Sequence, residues 1–283
     1  MTQKAQINTN FICENLRFLR YLRSPKTKEM LSKNKIKHYR TFHAKKTREA
    51  EAKFIVEGTK MVEELLATPL KIDTLVATDE WLSSRHCGRL LSEVEVLSAT
   101  EAEIQAISTL QNPQQVWALV EKPGNEIQFS SRGLILALDG IQDPGNMGTI
   151  LRIADWFGVS QVLCSPDCVE IYNPKVVQAS MGAIFRVPVL HGNLQDFFAA
   201  CTHSDIFAAD LQGENVYTAI LPADSILVMG NEGNGLSAGT KKCIQHKLHI
   251  PTFKQGGEHS ESLNVAVAAA ILCSEFRRVN LVV

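Results

Sequence analysis

The sequence predicts an α/β protein in two parts, with a mostly parallel sheet in the second. Three observations carry this. After residue 130 the strand candidates are near-continuous apolar runs, "GLILALDG", "QVLCS", "FRVPVL", "DIFAADL", "SILVMG" and "KLHIP". Helical patterns separate most of them, the arrangement of a sheet buried on both faces. Before residue 125 a shorter α/β pattern stands by itself, and "EKPGNEIQFSSRG" between the two clusters Pro, Gly and polar residues as linkers do.

In chain order, residues 1–29 read as a polar, weakly organised basic leader ending near "RSPKTK", with Met30 a candidate natural start. Residues 30–124 form the small α/β domain. "FIVEG" is its first strand, "TKMVEELL" an amphipathic helix with Thr59 as N-cap, and "KIDTLVATDEWL" and "QVWALVEKPG" two further strands. Residues 130–283 form the larger domain. No internal repeat or low-complexity segment interrupts either part.

Length and composition limit the function. A chain of 283 residues, 45% hydrophobic and 21% charged, has the make-up of a soluble globular protein. Its formal charge of -1 is unevenly spread. Residues 1–60 hold 15 Lys and Arg against 5 Asp and Glu, so the remaining 223 residues carry a net -11. That asymmetry fits a basic arm or face for a polyanion, with a solvated basic leader the alternative. Seven cysteines, odd in number and irregularly spaced, suit a reducing compartment. Cys164 and Cys168 flank "SPD" with no second ligand pair nearby, so no metal is expected. Neither a signal peptide nor a membrane span is legible, and the cytoplasm is the expected location.

Three stretches carry the chemistry. In "LDGIQDPGNMGTILRIADWFG" a strand, a turn and a helix follow one another. At about 100° per residue, Met147, Ile150, Leu151, Ala154 and Phe157 make one apolar stripe. Arg152 lies roughly 160° from its centre and points away from the sheet. Alone, it reads as a surface partner of Asp155 at i+3. Ile153 and Trp156 lie off the stripe and offer a second apolar patch for a partner surface. In "LVMGNEGNGLS" a strand runs into Gly230, Gly233 and Gly235 around Glu232. The spacing supplies neither a dinucleotide fingerprint nor a P-loop, so these glycines would let backbone approach a ligand. In "HIPTFKQGGEHSESLNVAVAAAILCSEFRR" a strand, a glycine loop and a nearly all-apolar helix follow, the helix opening near Ser260 or Ser262 with Asn264 in its first turn. Asn146, Glu232 and Asn264 thus recur at the carboxyl ends of three strands, the edge where open α/β sheets bind ligands.

"PGNMGTILRIADWFG", "LVMGNEGNGLS" and "IP…ESLNVAVAAAI" resemble, in order and spacing, the three motifs of the SpoU (TrmH) branch of the SPOUT RNA methyltransferases. "NPKVVQASMGAIFRVPV" is similar to that branch's intermotif segment. Residues 30–125 resemble the small substrate-binding domain that often precedes such a catalytic domain. The resemblance implies a trefoil-knotted domain, S-adenosylmethionine as cofactor, a homodimer with its site at the subunit interface, and transfer of methyl to a ribose 2′-oxygen. It implies RNA as partner, ribosomal first and transfer RNA or a non-catalytic RNA-binding role as alternatives.

By the same resemblance, Asn146, Arg152, Glu232, Ser262 and Asn264 hold the functional polar positions, and backbone around Gly230, Ile250 and Leu263 holds the cofactor. Arg152 is the family's candidate for assisting deprotonation. An arginine stays protonated, so orienting the ribose or its phosphate is the role its planar fork suits. Two departures stand out: the loop after Ile250 is a few residues longer than the family's and lacks its methionine, and the leader before Met30 has no counterpart.

Overall fold

The computed structural model describes residues 31–84, 94–124, 129–253 and 262–280. The leader, part of the linker, Ser260 and most of the 251–261 loop lie outside them. The chain divides into two compact units, Met1–Pro123 and Gly124–Val283.

The first unit runs α1 (Lys33–Thr41), α2 (Lys45–Ala50), β1 (Lys53–Glu57), α3 (Thr59–Leu66), β2 (Ile72–Ala77), α4 (Asp79–Ser84), β3 (Glu95–Ser98), α5 (Glu101–Ile107) and β4 (Val116–Glu121). Its sheet has the order β1-β4-β2-β3, with β4 antiparallel to both neighbours and β2 parallel to β3. Tyr39, Phe42, Ile55, Val76, Ile104, Trp117 and Leu119 pack into one core cluster. Three local expectations need correction. Thr59 is the first residue of α3 rather than its cap: Gly58, at φ 96°, precedes it, and the Thr59 N–H donates to Gln114 Oε1 at 2.9 Å. "DEWL" is helical, because the Thr78 hydroxyl accepts the Trp81 N–H at 3.2 Å and turns the chain out of β2. Strand β3 and helix α5 are additional to the sequence reading, although "TEAE" spells the capping box that Thr100 and Glu103 form.

The second unit runs β5 (Leu134–Asp139), α6 (Pro144–Trp156), β6 (Gln161–Cys164), α7 (Pro174–Ser180), a 3-10 turn (Ala183–Phe185), β7 (Val189–His191), α8 (Leu194–Ala200), β8 (Asp205–Asn215), β9 (Ser225–Gly230), α9 (Ala238–Lys241), β10 (His246–His249) and α10 (Val265–Val279). The six strands pair in the order β10-β8-β9-β5-β6-β7, every pair parallel. From β5 the chain winds outward through β6 and β7, then crosses to β8 and returns through β9 to β5's other side. That reversal of direction puts the sheet's switch point at β5 and β9, where Asp139 lies opposite Gly230, and open α/β sheets bind ligands beyond the carboxyl ends at such a point.

"FRVPVL" yields only two strand residues, Val189 and Leu190, because Pro188 has no N–H to give and a 3-10 turn takes up Phe185. Helix α6 buries Met147, Ile150, Leu151 and Ala154 as its stripe requires, and Phe157 becomes the half-buried C-cap. It packs against α7 and α10. Gly148 permits the close crossing with α7: a Cβ there would stand 2.5 Å from the Ala179 Cβ and 2.8 Å from the Val176 oxygen. Helix α10 opens at Val265, later than Ser260 or Ser262, and it keeps one exposed face on which Val267 is 48% exposed.

Candidate active site

Asp143 and Pro144 begin α6 as a cap and a first-turn proline: the Asp143 carboxylate accepts the Asn146 N–H at 2.7 Å. This fixes the backbone of Asn146 and leaves its amide side chain to reach out of the turn. Glu232 lies two residues beyond β9. Its loop is locked by Asn231, whose side chain accepts the N–H groups of Gly233 and Asn234 at 2.9 and 3.0 Å and donates to the Gly140 carbonyl at 2.8 Å. Asn231 and Gly235 exchange backbone hydrogen bonds of 3.1 and 2.8 Å across the knuckle. Farther along, the Ser237 N–H donates to buried Asp139 at 2.7 Å, tying the loop's exit to the end of β5.

Asn264 is the N-cap of α10, its Oδ1 accepting the Ala266 and Val267 N–H groups at 3.0 and 3.3 Å. Its Nδ2 donates to Asn146 Oδ1 at 2.9 Å and to Glu232 Oε1 at 3.1 Å. Asn146 Nδ2 donates to the same Glu232 oxygen at 2.7 Å, and the Val265 N–H points at it from 3.4 Å. Three residues, from the first turn of α6, the loop after β9 and the cap of α10, 86 and 32 positions apart across Glu232, therefore close one hydrogen-bonded cluster. One carboxylate oxygen gathers the donors, and each amide faces a complementary group.

Arg152 stands apart from this cluster. It lies about 120° around α6 from Asn146 and about 9 Å along the axis. The side chain is exposed and has no hydrogen-bond or ion-pair partner among the described residues. The expected pair with Asp155 is not formed. Asp155 is held by Arg186, whose Nε and Nη2 donate to Oδ2 at 3.0 and 2.8 Å. That bidentate fit across elements outcompetes a weak i,i+3 contact. Ser262 is exposed and lies two residues before Asn264. Ile250 is half-buried just beyond β10, and Leu263, beside Asn264, is 48% exposed.

The residues that the sequence reading missed are supports: Asp139, Asp143 and Asn231. "DPGN" carried a legible signal for Asp143, an acidic cap before a first-turn proline. Nothing local marked the other two, since their partners lie far along the chain. A second unforeseen group sits behind the Gly140 turn, where the Ser165 hydroxyl accepts the Gly140 N–H at 2.9 Å and approaches the Cys168 thiol at 3.6 Å. A hydrogen bond from Cys164 is the main cause that brings the Cys168 thiol down to about 7, against the opposing effect of burial. Its buried partner Cys164 is pushed well above the ordinary thiol value. Among the described residues no group of three His, Cys, Asp or Glu could hold a metal ion, and no helix is long and apolar enough to cross a membrane.

The similarities of the chain agree with this geometry. The family model described as "SpoU rRNA Methylase family" matches residues 133–274, and "MRM3-like substrate binding domain" matches residues 33–118. The 23S rRNA (guanosine(2553)-2'-O)-methyltransferase RlmP of Bacillus subtilis is 30% identical over 88% of this chain and 98% of its own length. A solved TrmH-family protein from Porphyromonas gingivalis superposes with a TM-score of 0.79 at 41% identity, covering 88% of this chain and 99% of that one. An AdoMet-bound rRNA methyltransferase from Sinorhizobium meliloti gives a TM-score of 0.78 at 30% identity, over 89% and 97% of the two chains. With three loops of a parallel sheet joined by Asn146, Glu232 and Asn264, and with this span of similarity, the chain belongs to the SpoU rRNA methylase family.

Proposed function

We propose that this protein transfers a methyl group from S-adenosylmethionine to a ribose 2′-hydroxyl of ribosomal RNA. The observation that carries the reading is the Asn146–Glu232–Asn264 cluster, which ties the starts of α6 and α10 to the loop after β9 at the carboxyl edge of the sheet. The cofactor's fit can be tested on the Gly230 turn. A Cβ on Gly230 would meet the Gly235 carbon at 2.8 Å and the Leu236 side chain at 3.0 Å, so the loop is a tight backbone cradle. Exposed Leu263 and half-buried Ile250 add apolar surface of the kind an adenine covers. On this reading, backbone around Gly230, Ile250 and Leu263 holds the cofactor. When bound, it supplies an electrophilic methyl on a sulfonium centre.

The chain's own residues position the acceptor. A ribose hydroxyl is a poor nucleophile at neutral pH and needs its oxygen aimed and its proton removed. The three-residue cluster fixes the loops so that the acceptor meets one geometry rather than several. Arg152, exposed and unpaired among the described residues, orients the ribose or its phosphate through its planar fork. Its separation from the cluster on α6 supports a homodimer in which each Arg152 serves the site of the other subunit. Trp156, 85% exposed on the same helix, supplies an apolar contact for that interface. Ser262 would contact substrate from the third loop. We assign the trefoil knot to the second unit, substrate binding to residues 30–124, and the site of action to the cytoplasm.

The test is incubation of the full chain with methyl-labelled S-adenosylmethionine and, in parallel, ribosomal RNA and transfer RNA from a strain lacking the protein. Label in an alkali-resistant dinucleotide supports the reading, because a 2′-O-methyl blocks cleavage of the next phosphodiester. Label on a base, label only on transfer RNA, or donor binding without transfer would overturn it.

A further inference from the structure

Helix α1 carries a row of basic side chains that the fold does not use. Lys33, Lys37 and Arg40 recur at i, i+4 and i+7, so they fall within about 60° of one another and span about 10 Å of axis. They are exposed, and the row lies roughly opposite Tyr39 and Phe42, which are buried in the core. Exposed Lys46 follows on α2. None of these four side chains has a hydrogen-bond or ion-pair partner among the described residues.

Their neighbours differ. Lys35 pairs with Glu95 at 2.8 Å, Lys45 with Glu49 at 3.5 Å, and His38 approaches Glu51 at 3.8 Å. Lysines on the sheet are also matched: Lys53 with Asp73 at 2.6 Å and Lys71 with Glu121 at 2.7 Å. Arg48 is buried and donates to the Phe42 and His43 carbonyls at 2.7 Å each. The nearby described carboxylates are thus committed elsewhere, and the row stays bare among the described residues. Arg40 stands in the last turn of α1, where the helix dipole favours it, but Lys33 and Lys46 do not share that advantage. Neither α1 nor α2 has an acidic residue in its first turn, where Lys33, Lys45 and Lys46 oppose the helix dipole. Local preference gives no reason for the first-turn lysines, and an external anion does.

We propose that Lys33, Lys37 and Arg40, extended by Lys46, form a surface that grips the sugar–phosphate backbone of the RNA substrate independently of its sequence. The choice of RNA as the polyanion rests on the proposed methyltransferase reading; the existence of the surface does not. A row of charges with no exposed Phe, Tyr or Trp beside it among the described residues suits phosphates rather than bases, so it positions the RNA and leaves selection to other contacts.

The experiment measures binding of the full chain to a mixed-sequence RNA hairpin at increasing salt. Each phosphate contact contributes about 0.7 to 0.9 to the slope of log affinity against log salt. The Lys33→Gln/Lys37→Gln/Arg40→Gln variant is therefore expected to lower that slope by about 2, so that its affinity deficit shrinks about 16-fold from 50 to 200 mM salt. A Lys35→Gln/Lys45→Gln/Lys71→Gln variant removes three paired charges and should leave most of the slope intact. Circular dichroism checks that both variants fold, and glutamine is a good helix former at exposed sites.

An unchanged slope in the first variant overturns the proposal, as does an equal fall in both. Equal loss of binding to polyaspartate would overturn RNA as the intended partner. Methyl transfer by the unmodified chain is measured alongside. Slope loss in the variant without any transfer by the parent removes the enzymatic reading and keeps the surface. Transfer by the parent with an unchanged slope does the reverse.

Discussion

Asn146→Asp replaces one nitrogen by oxygen, and its consequence can be worked from one distance. Asn146 Nδ2 donates to Glu232 Oε1 at 2.7 Å. The substitution removes that donor and sets two carboxylate oxygens against each other. At this separation the repulsion is about 1.5 kcal/mol in bulk water and about 6 kcal/mol at an effective dielectric of 20. Glu232 is exposed, so the lower figure governs. Adding the lost charge-assisted bond and allowing the loops to relax, we predict about 2 kcal/mol against the assembled cluster, roughly a 30-fold loss of methyl-transfer kcat/KM. Asn146→Ala, which removes the donor without repulsion, should lose less. Glu232→Gln placed beside Asn146→Asp offers an amide N–H to the introduced carboxylate and should recover about tenfold. The Asn264 donor to the residue-146 oxygen survives in every carboxylate or amide variant. The assay is single-turnover transfer to ribosomal RNA, with circular dichroism to confirm folding. The reasoning is refuted if Asn146→Asp is no worse than Asn146→Ala and the two substitutions combine additively.

Three further outcomes follow from the geometry. Arg152→Ala should reduce kcat/KM by tenfold or more while leaving the unfolding midpoint within a degree or so, because the side chain is exposed and has no partner among the described residues; a large fall in midpoint would make its role structural. Gly148→Ala should destabilise by about 1–3 kcal/mol despite alanine's better helix propensity, since the new Cβ meets Ala179 at 2.5 Å and backbone at 2.8 Å; a raised denaturation midpoint would contradict the close crossing of α6 and α7. Cys168 should alkylate with iodoacetamide at a rate that rises through about pH 7, where its lowered thiol ionises, while Cys164 and Cys273 stay slow because their thiols are buried and raised. Peptide mapping across pH 6–10 checks this, and faster labelling of Cys164 would count against it.

The parallel sheet was legible because strands buried on both faces must be apolar throughout, and β5 and β9 meet that demand almost residue for residue. The stripe of α6 was legible for the analogous helical reason. What escaped the sequence was where polar groups find partners. Asn264 read as an oddity inside a helix whose start was assigned to Ser260 or Ser262; the structure makes it the cap. A cap and an interior residue differ only in backbone angles, and serine and asparagine cap equally well. Taken alone, spacing along one helix pairs Asp155 with Arg152, yet Arg186, 31 positions away, offers two donors at once. Strand β3 was missed because its four residues are only partly apolar and it lies at the sheet's edge. Local pattern thus located the elements and the three site loops, whereas long-range hydrogen bonding decided which side chains meet.

The most direct test of the central claim is a ribose-methylation map of ribosomal RNA from a strain lacking this protein, compared with its parent and with the same strain complemented by Arg152→Ala. The account predicts a 2′-O-methyl position that is present in the parent, absent in the deletion, and not restored by the Arg152→Ala chain. A map identical in all three strains would contradict it and leave the fold as an RNA-binding scaffold.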